Sequence, residues 1–240
     1  MTMTATRSMV GITVPSPCEM PNGLQWYGDE LFVMDQLTDN VYVINEKGDV
    51  LRTMYTSTEN GSGITVGDGH IWTGSNGTTV SRPYRSTDTH LGYVYKCDMD
   101  TGETVNRWRT PDGGGIHGIE WDHDENLLWV TAFNPKAIIL VDPSDNFKVV
   151  HKFEVELERL HGMALEGDDG IWCAHTTDNV VVLYNKESGA EMDRITMGPE
   201  DPFIHGLSSK DGVLWFGDAN FAGSHGTATR GEPSVGTIAR

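Results

Sequence analysis

RLHGMALEGDDGIWCAHTTDNVVVLYN, residues 159–185, carries the plan of the whole chain. It opens on a polar residue, a glycine and an apolar residue, His161-Gly162-Met163. Trp172 follows inside a short apolar strand. VVVLYN makes a third strand, and the turn NKESG leads into a fourth. Working outward, Asn22-Gly23-Leu24, Ser62-Gly63-Ile64, His117-Gly118-Ile119 and His205-Gly206-Leu207 open the same pattern. Phe32, Trp72, Trp129 and Trp215 are the aromatics that follow them, and VYVIN, GYVYKCD, AIILVD and VGTIAR the third strands. Short apolar strands at regular spacing, separated by turns, are the signature of propeller blades. The reading is an all-β, five-bladed β-propeller with four antiparallel strands per blade. A β-sandwich with coincidental repeats is the alternative.

The blades fall at about 20–58, 59–112, 113–156, 157–200 and 201–240, within one domain spanning 1–240. The last unit has only three strands before the chain stops. VGITVPS, residues 10–16, has no blade of its own and supplies the missing outer strand. Closure of that kind removes the edges an open sheet exposes. Residues 152–160, KFEVELERL, alternate with period two and read as strand.

Composition narrows the function classes. Glycine is high, 28 of 240 residues, and falls at turns rather than in a low-complexity tract. The formal net charge is -18, from 35 acids against 17 bases. Such a surface repels nucleic-acid phosphates and anionic lipid, so neither is expected as a partner. No apolar run is long enough to span a bilayer, and the first ten residues lack a signal-peptide core. Three distant cysteines, Cys18, Cys97 and Cys173, fit neither a disulfide framework nor a zinc ribbon, and a cytoplasmic location is the expectation. No obligate protein partner is inferred; a small-molecule substrate is.

The repeat also maps the channel. First strands line the axis of a propeller, so Asn22, Ser62, His117, His161 and His205 are expected in one ring at the mouth. Asp35, Ser75, Ala132, His175 and Asp218 end the second strands and are expected as a second ring. His117, His161 and His205 lie 44 residues apart, one blade each. Two long connections, residues 75–91 and 218–234, fall on the same face and carry Arg82, Tyr84, Arg85, His90, Phe221, His225 and Arg230. Arg159 enters that face just before His161. Four of ten arginines gathered there point to a small anion, a carboxylate or phosphate group.

HGLSSKDGVLWFGDAN and residues 159–185 resemble the repeat of the virginiamycin B lyase (streptogramin lyase) family. More loosely they resemble the SMP-30/gluconolactonase and glutamine cyclotransferase propellers. The resemblance runs over residues 20–240 as a per-blade pattern. It implies a histidine of the HG motif, His161 or His205, as general base beside a magnesium ion. The lactonase likeness implies a divalent metal on Glu, Asn and Asp, which Glu19, Asn22 and Asp218 would imitate. The blade counts differ: seven in the lyase, six in the lactonases, five in the cyclotransferase and here.

Two mechanisms follow. In one, a neutral histidine among His117, His161, His205 and His175 removes a proton alpha to a carbonyl, as a lyase or a lactone- or ester-opening enzyme. Asn22, Ser62, Arg82, Tyr84, Arg85, Arg159 and Arg230 would bind an anionic, carboxylate-bearing substrate. Mg or Mn on Glu19, Asp35 or Asp218 would polarise the carbonyl. In the other, His117, His161 and His205 hold Zn, Cu or Fe for hydrolysis or oxidation. A non-enzymatic ligand-binding propeller is the third reading. No G-x-S-x-G elbow, P-loop or dinucleotide fingerprint is present.

Overall fold

The computed structural model describes residues 8–78, 82–219 and 232–239. All its regular structure is β, in five four-stranded antiparallel sheets. The N-terminal strand is β1 (Val10–Pro15). Blade 1 holds β2 (Pro21–Tyr27), β3 (Glu30–Asp35), β4 (Asn40–Ile44) and β5 (Val50–Tyr55). Blade 2 holds β6 (Gly61–Gly67), β7 (His70–Ser75), β8 (Tyr93–Asp98) and β9 (Thr104–Arg109). Blade 3 holds β10 (Ile119–Asp122), β11 (Leu127–Phe133), β12 (Lys136–Asp142) and β13 (Lys148–Glu154). Blade 4 holds β14 (Leu160–Glu166), β15 (Gly170–His175), β16 (Val180–Asn185) and β17 (Glu191–Thr196). Blade 5 holds β18 (Gly206–Lys210), β19 (Val213–Gly217) and β20 (Ser234–Ile238). Strand β1 pairs antiparallel with β20, through Thr13 opposite Gly236 and Pro15 opposite Ser234, and completes blade 5 from the other end of the chain. No helix of the described residues is long and apolar enough to cross a membrane.

Strand composition follows position. The middle strands are covered on both faces, and β15 is buried at every residue, so they read as apolar runs. The outer strands face water; β17, EMDRIT, buries only Ile195. Alternation along one strand then serves two seams. Ile171 and Cys173 pack toward blade 3 with Ile138 and Phe153, whereas Trp172 packs toward blade 5 with Phe216 and Leu214. Each of the five core clusters fills one seam between neighbouring blades.

Segment 152–160 is not one strand. Strand β13 ends at Glu154 and β14 begins at Leu160. The chain crosses here from the rim of blade 3 to the axis of blade 4, and Arg159 turns it with a left-handed φ of 49°. The alternation belongs to the ends of two strands in different sheets.

The glycines of the repeat set the distance between first strands. A Cβ at Gly118 would lie 1.9 Å from the His161 carbonyl oxygen, and one at Gly162 would lie 2.1 Å from the Leu207 nitrogen. Gly23 meets the Ser62 carbonyl, Gly63 that of His117 and Gly206 that of Asn22. Each glycine therefore rests on the ring residue of the next blade, five times round. We expect Gly118→Ala and Gly162→Ala each to destabilise the protein by about 3 kcal/mol or more, since backbone must shift to make room. Chemical denaturation measures this. Unchanged midpoints would show that the first strands can part.

Candidate active site

His117, His161 and His205 meet as the spacing requires. His117 Nδ1 and His161 Nε2 are 3.1 Å apart and share one proton. Their ring centroids are 4.4 Å apart, and those of His161 and His205 are 4.8 Å apart with the rings nearly perpendicular. Local bonds fix each backbone. Thr131 Oγ1 accepts from the Gly118 amide at 2.8 Å and the His117 amide at 3.3 Å. The Gly162 amide donates to the His205 carbonyl at 2.7 Å, and the His205 amide to Gly217. His205 Nδ1 lies 3.0 Å from the Phe203 carbonyl, which makes it the protonated nitrogen and leaves the lone pair on Nε2. His161 Nδ1 is buried without a partner among the described residues. His161 and His205 are each only 2% exposed, whereas His117 is half-buried, with the ring of Phe133 edge-on against it at 4.7 Å.

All three imidazoles are held neutral. Burial, then the Arg159 charge and His205, pull His117 down to about 3. Burial likewise takes His205 to about 4, partly offset by its bond to Phe203. His161 is driven well below the usual range, by burial and then by His117 and His205. Arg159 acts on all three. It is itself partly buried, its guanidinium weakened as an acid-base partner by desolvation alone, and it makes no ion pair or hydrogen bond through its side chain among the described residues. The other described arginines are engaged. Arg52 pairs with Glu30 and Arg194 with Glu191, Arg109 donates to the carbonyls of Gly92 and Gly113, and Arg107 lies over Tyr93.

The remaining expected site residues divide. Asn22 and Ser62 stand in the first-strand ring, both buried; Asn22 donates to Gln36 Oε1 at 2.7 Å, while Asn22 Oδ1 and Ser62 Oγ have no partner among the described residues. Arg82 and Arg85 are not ligand-facing. Arg82 is locked between buried Asp39 and Asp88, and Arg85 donates to the carbonyls of Thr56 and Thr38. Sequence alone does not reveal this, because Asp39 lies 43 residues away in another blade. These bonds fold the long connection of blade 2 down, helped by buried Glu59, which accepts from the amides of Thr89 and His90. Tyr84 is exposed and stacks on His90. His175 is fully buried and both its nitrogens are occupied, Nε2 by Tyr184 Oη at 3.0 Å and Nδ1 by the Glu158 carbonyl at 3.3 Å, so it cannot act as a base on a substrate. Arg230, Phe221 and His225 lie outside the described residues.

The expected metal ligands do not assemble. Asp35 caps its own turn, accepting from the Met20 and Leu37 amides and from Thr38 Oγ1. Glu19 is exposed and Asp218 is buried in blade 5. In the histidine trio, one nitrogen each of His117 and His161 is turned to the other ring, and His205 Nδ1 faces a carbonyl. Among the described residues no three His, Cys, Asp or Glu side chains are placed to hold a metal ion. Sequence inspection also overlooked Phe133, Thr131 and Gln36. All three sit at second-strand ends or just beyond, where the repeat had marked only one residue per blade.

A closed five-bladed propeller with a buried, neutral imidazole cluster at its mouth defines the class: a small propeller with a polar site on its axis. The chain belongs to the SMP-30/gluconolactonase/LRE-like family, whose model matches residues 49–205 and so takes in all three histidines. Among solved structures, the chain is similar to the glutaminyl cyclase of Myxococcus xanthus, with a TM-score of 0.67 at 12% identity over 95% of this chain and 94% of that one. It is also similar to the virginiamycin B lyase of Staphylococcus aureus, with a TM-score of 0.54 at 14% identity over 95% and 69%. A protein of unknown function from Bacteroides caccae gives 0.54 at 14% over 82% and 70%. At these identities the likeness is one of fold. No curated protein sequence matches the chain.

Two measurements check the site's energetics. The histidines' folded pKa values lie below their unfolded value, so the unfolded chain binds more protons across the interval from about 6.5 down to about 4. Stability should therefore be complete above pH 6.5 and fall as pH drops through that window, and His205→Gln should flatten the slope of melting temperature against pH. Arg82→Met strands two buried carboxylates and should cost about 3–5 kcal/mol; a ligand-binding arginine would show no such loss in a urea melt.

Proposed function

We propose that the chain is an enzyme of the lyase or lactone-opening kind acting on a carboxylate-bearing small molecule at the histidine cluster. The observation that carries this reading is the half-buried His117, bonded to His161 and acted on by the charge of Arg159, an arginine with no side-chain partner among the described residues. Arg159 would take the substrate carboxylate as a charge-assisted pair. His117 would act as base, since it alone of the three is reached from outside. This replaces His161 or His205, which the family resemblance implied.

In an elimination, His117 takes the proton alpha to the carbonyl. The C–H electron pair forms the new double bond, and the C–O bond beta to the carbonyl breaks. The departing oxygen then receives a proton from the imidazolium. In lactone opening, the same base takes a proton from water as it adds to the carbonyl, and the ring oxygen leaves with that proton. His161 behind it steadies the transient charge through their shared hydrogen bond. A neutral resting imidazole is required for both, and burial supplies it.

With a panel of lactones and beta-oxygenated carboxylic acids as substrates, His117→Ala should lower kcat/KM by about 10²–10⁴-fold. Arg159→Met should raise KM for carboxylates and leave KM for uncharged esters unaffected. Wild-type turnover in both His117→Ala and His161→Ala would remove the reaction from this location.

A further inference from the structure

Arg159 occupies a costly backbone conformation. Its φ of 49° is left-handed, a region that costs an ordinary residue roughly 1–2 kcal/mol. Strain of this sort survives only where the surroundings over-determine it, and it concentrates at functional positions. The turn recurs in blade 2, where Asn60 has a φ of 57°, its carbonyl accepts from the Asn76 amide and Ser75 Oγ donates to the Glu59 carbonyl; in blade 4 an imidazole takes the place of that serine. The end of β15 grips two successive carbonyls of the crossing segment: the His175 ring donates from Nδ1 to the Glu158 carbonyl, and the Thr176 amide donates to the Arg159 carbonyl at 3.2 Å. Behind the ring, Tyr184 Oη donates to His175 Nε2 at 3.0 Å. That bond fixes which nitrogen carries the proton, because only a ring protonated at Nδ1 can donate to Glu158 and accept from Tyr184. From its other side the Glu158 amide reaches Asp178 Oδ2 at 3.3 Å.

His175 is fully buried and Tyr184 is 5% exposed, so neither touches a ligand at the mouth. Packing alone would be served by apolar residues here, as at the neighbouring Ala174 and Val182, which are also fully buried. We infer that Tyr184 and His175 form a positioning relay, Tyr184 Oη to His175 to the Glu158 carbonyl, that holds Arg159 over the histidine cluster as the anion-binding group. This deepens the function proposed above and rests on it in one respect only, that Arg159 binds the anion.

The test uses the full chain and malonate as probe, followed by the His117 Cε1–H signal in NMR titrations, with far-ultraviolet circular dichroism as the control for folding. Wild type should bind malonate, and Arg159→Met should not. Tyr184→Phe removes one oxygen from the relay and should weaken malonate about 2–10-fold, the value of one hydrogen bond, with the fold intact. His175→Leu should weaken it at least as much, whereas His175→Gln, which can still donate to one carbonyl and accept from Tyr184, should recover part of the loss. If Arg159→Met binds malonate as wild type does, or wild type binds none, the anion-binding reading fails and the relay with it. If Arg159→Met abolishes binding but folded Tyr184→Phe binds as tightly as wild type, the relay is wrong and the anion site stands. Tyr184→Phe alone decides the matter if His175→Leu does not fold.

Discussion

The contact between a glycine and the carbonyl of the next blade's ring residue governs this molecule. Five first strands must approach one axis closely, and no side chain beyond hydrogen fits at Gly118 or Gly162. The constraint is steric and local, yet its consequence is global. Once the glycines rest on those carbonyls, the residue before each one is brought to the axis. Three of those five residues are histidines, so closeness of the strands is what brings imidazoles from three blades within contact distance. The ring shuts because β1 returns to β20 and covers the last blade's outer edge.

Crowding also sets the chemistry. Imidazoles gathered in solution would titrate near neutrality. Here desolvation outweighs every other influence on His117, His161 and His205, with like charges and Arg159 adding to it. The cluster enters any reaction with lone pairs available. Its three members are not equivalent. His205 is tied to a carbonyl, His161 is buried in the middle, and His117 is half-buried at the mouth with its backbone fixed by Thr131. Sequence position alone, one histidine per blade at equal spacing, makes them look interchangeable. Their differing depth is a property of the third dimension.

The same distinction separates what could be read early from what could not. Blade count, strand order and the swap of the N-terminal strand were legible because each rests on a periodic apolar pattern and a glycine that geometry demands. The meeting of His117, His161 and His205 followed from phase. Arginine roles were not legible. Arg82, Arg85 and Arg159 look alike on one face, but Arg82 is claimed by Asp39 from another blade and by Asp88, Arg85 by two carbonyls, and only Arg159 is left without a protein partner among the described residues. Which cation is neutralised depends on long-range pairing that no local pattern encodes. His175 shows the same limit: it ends a second strand as Asp35 and Ser75 do, yet its ring turns into blade 4 and meets Tyr184.

Charge placement along the axis gives these local facts one direction. The hairpin turns at the end opposite the histidines carry acids such as Asp68, Asp100, Asp124, Asp168 and Asp211, and the whole chain is strongly negative. An anion is repelled from that end. Inside the first-strand layer, Glu120 is buried, and desolvation, followed by the nearby Asp122, pushes its carboxyl well above the usual range. A carboxyl in that condition adds little negative charge beneath the cluster. The imidazoles are neutral, so the guanidinium of Arg159 is the charge that an approaching ligand meets there among the described residues. Among the described residues, a negative body with one cation free of a protein partner near the histidines favours anions there over the opposite end, and the site proposed beside His117 rests on that asymmetry.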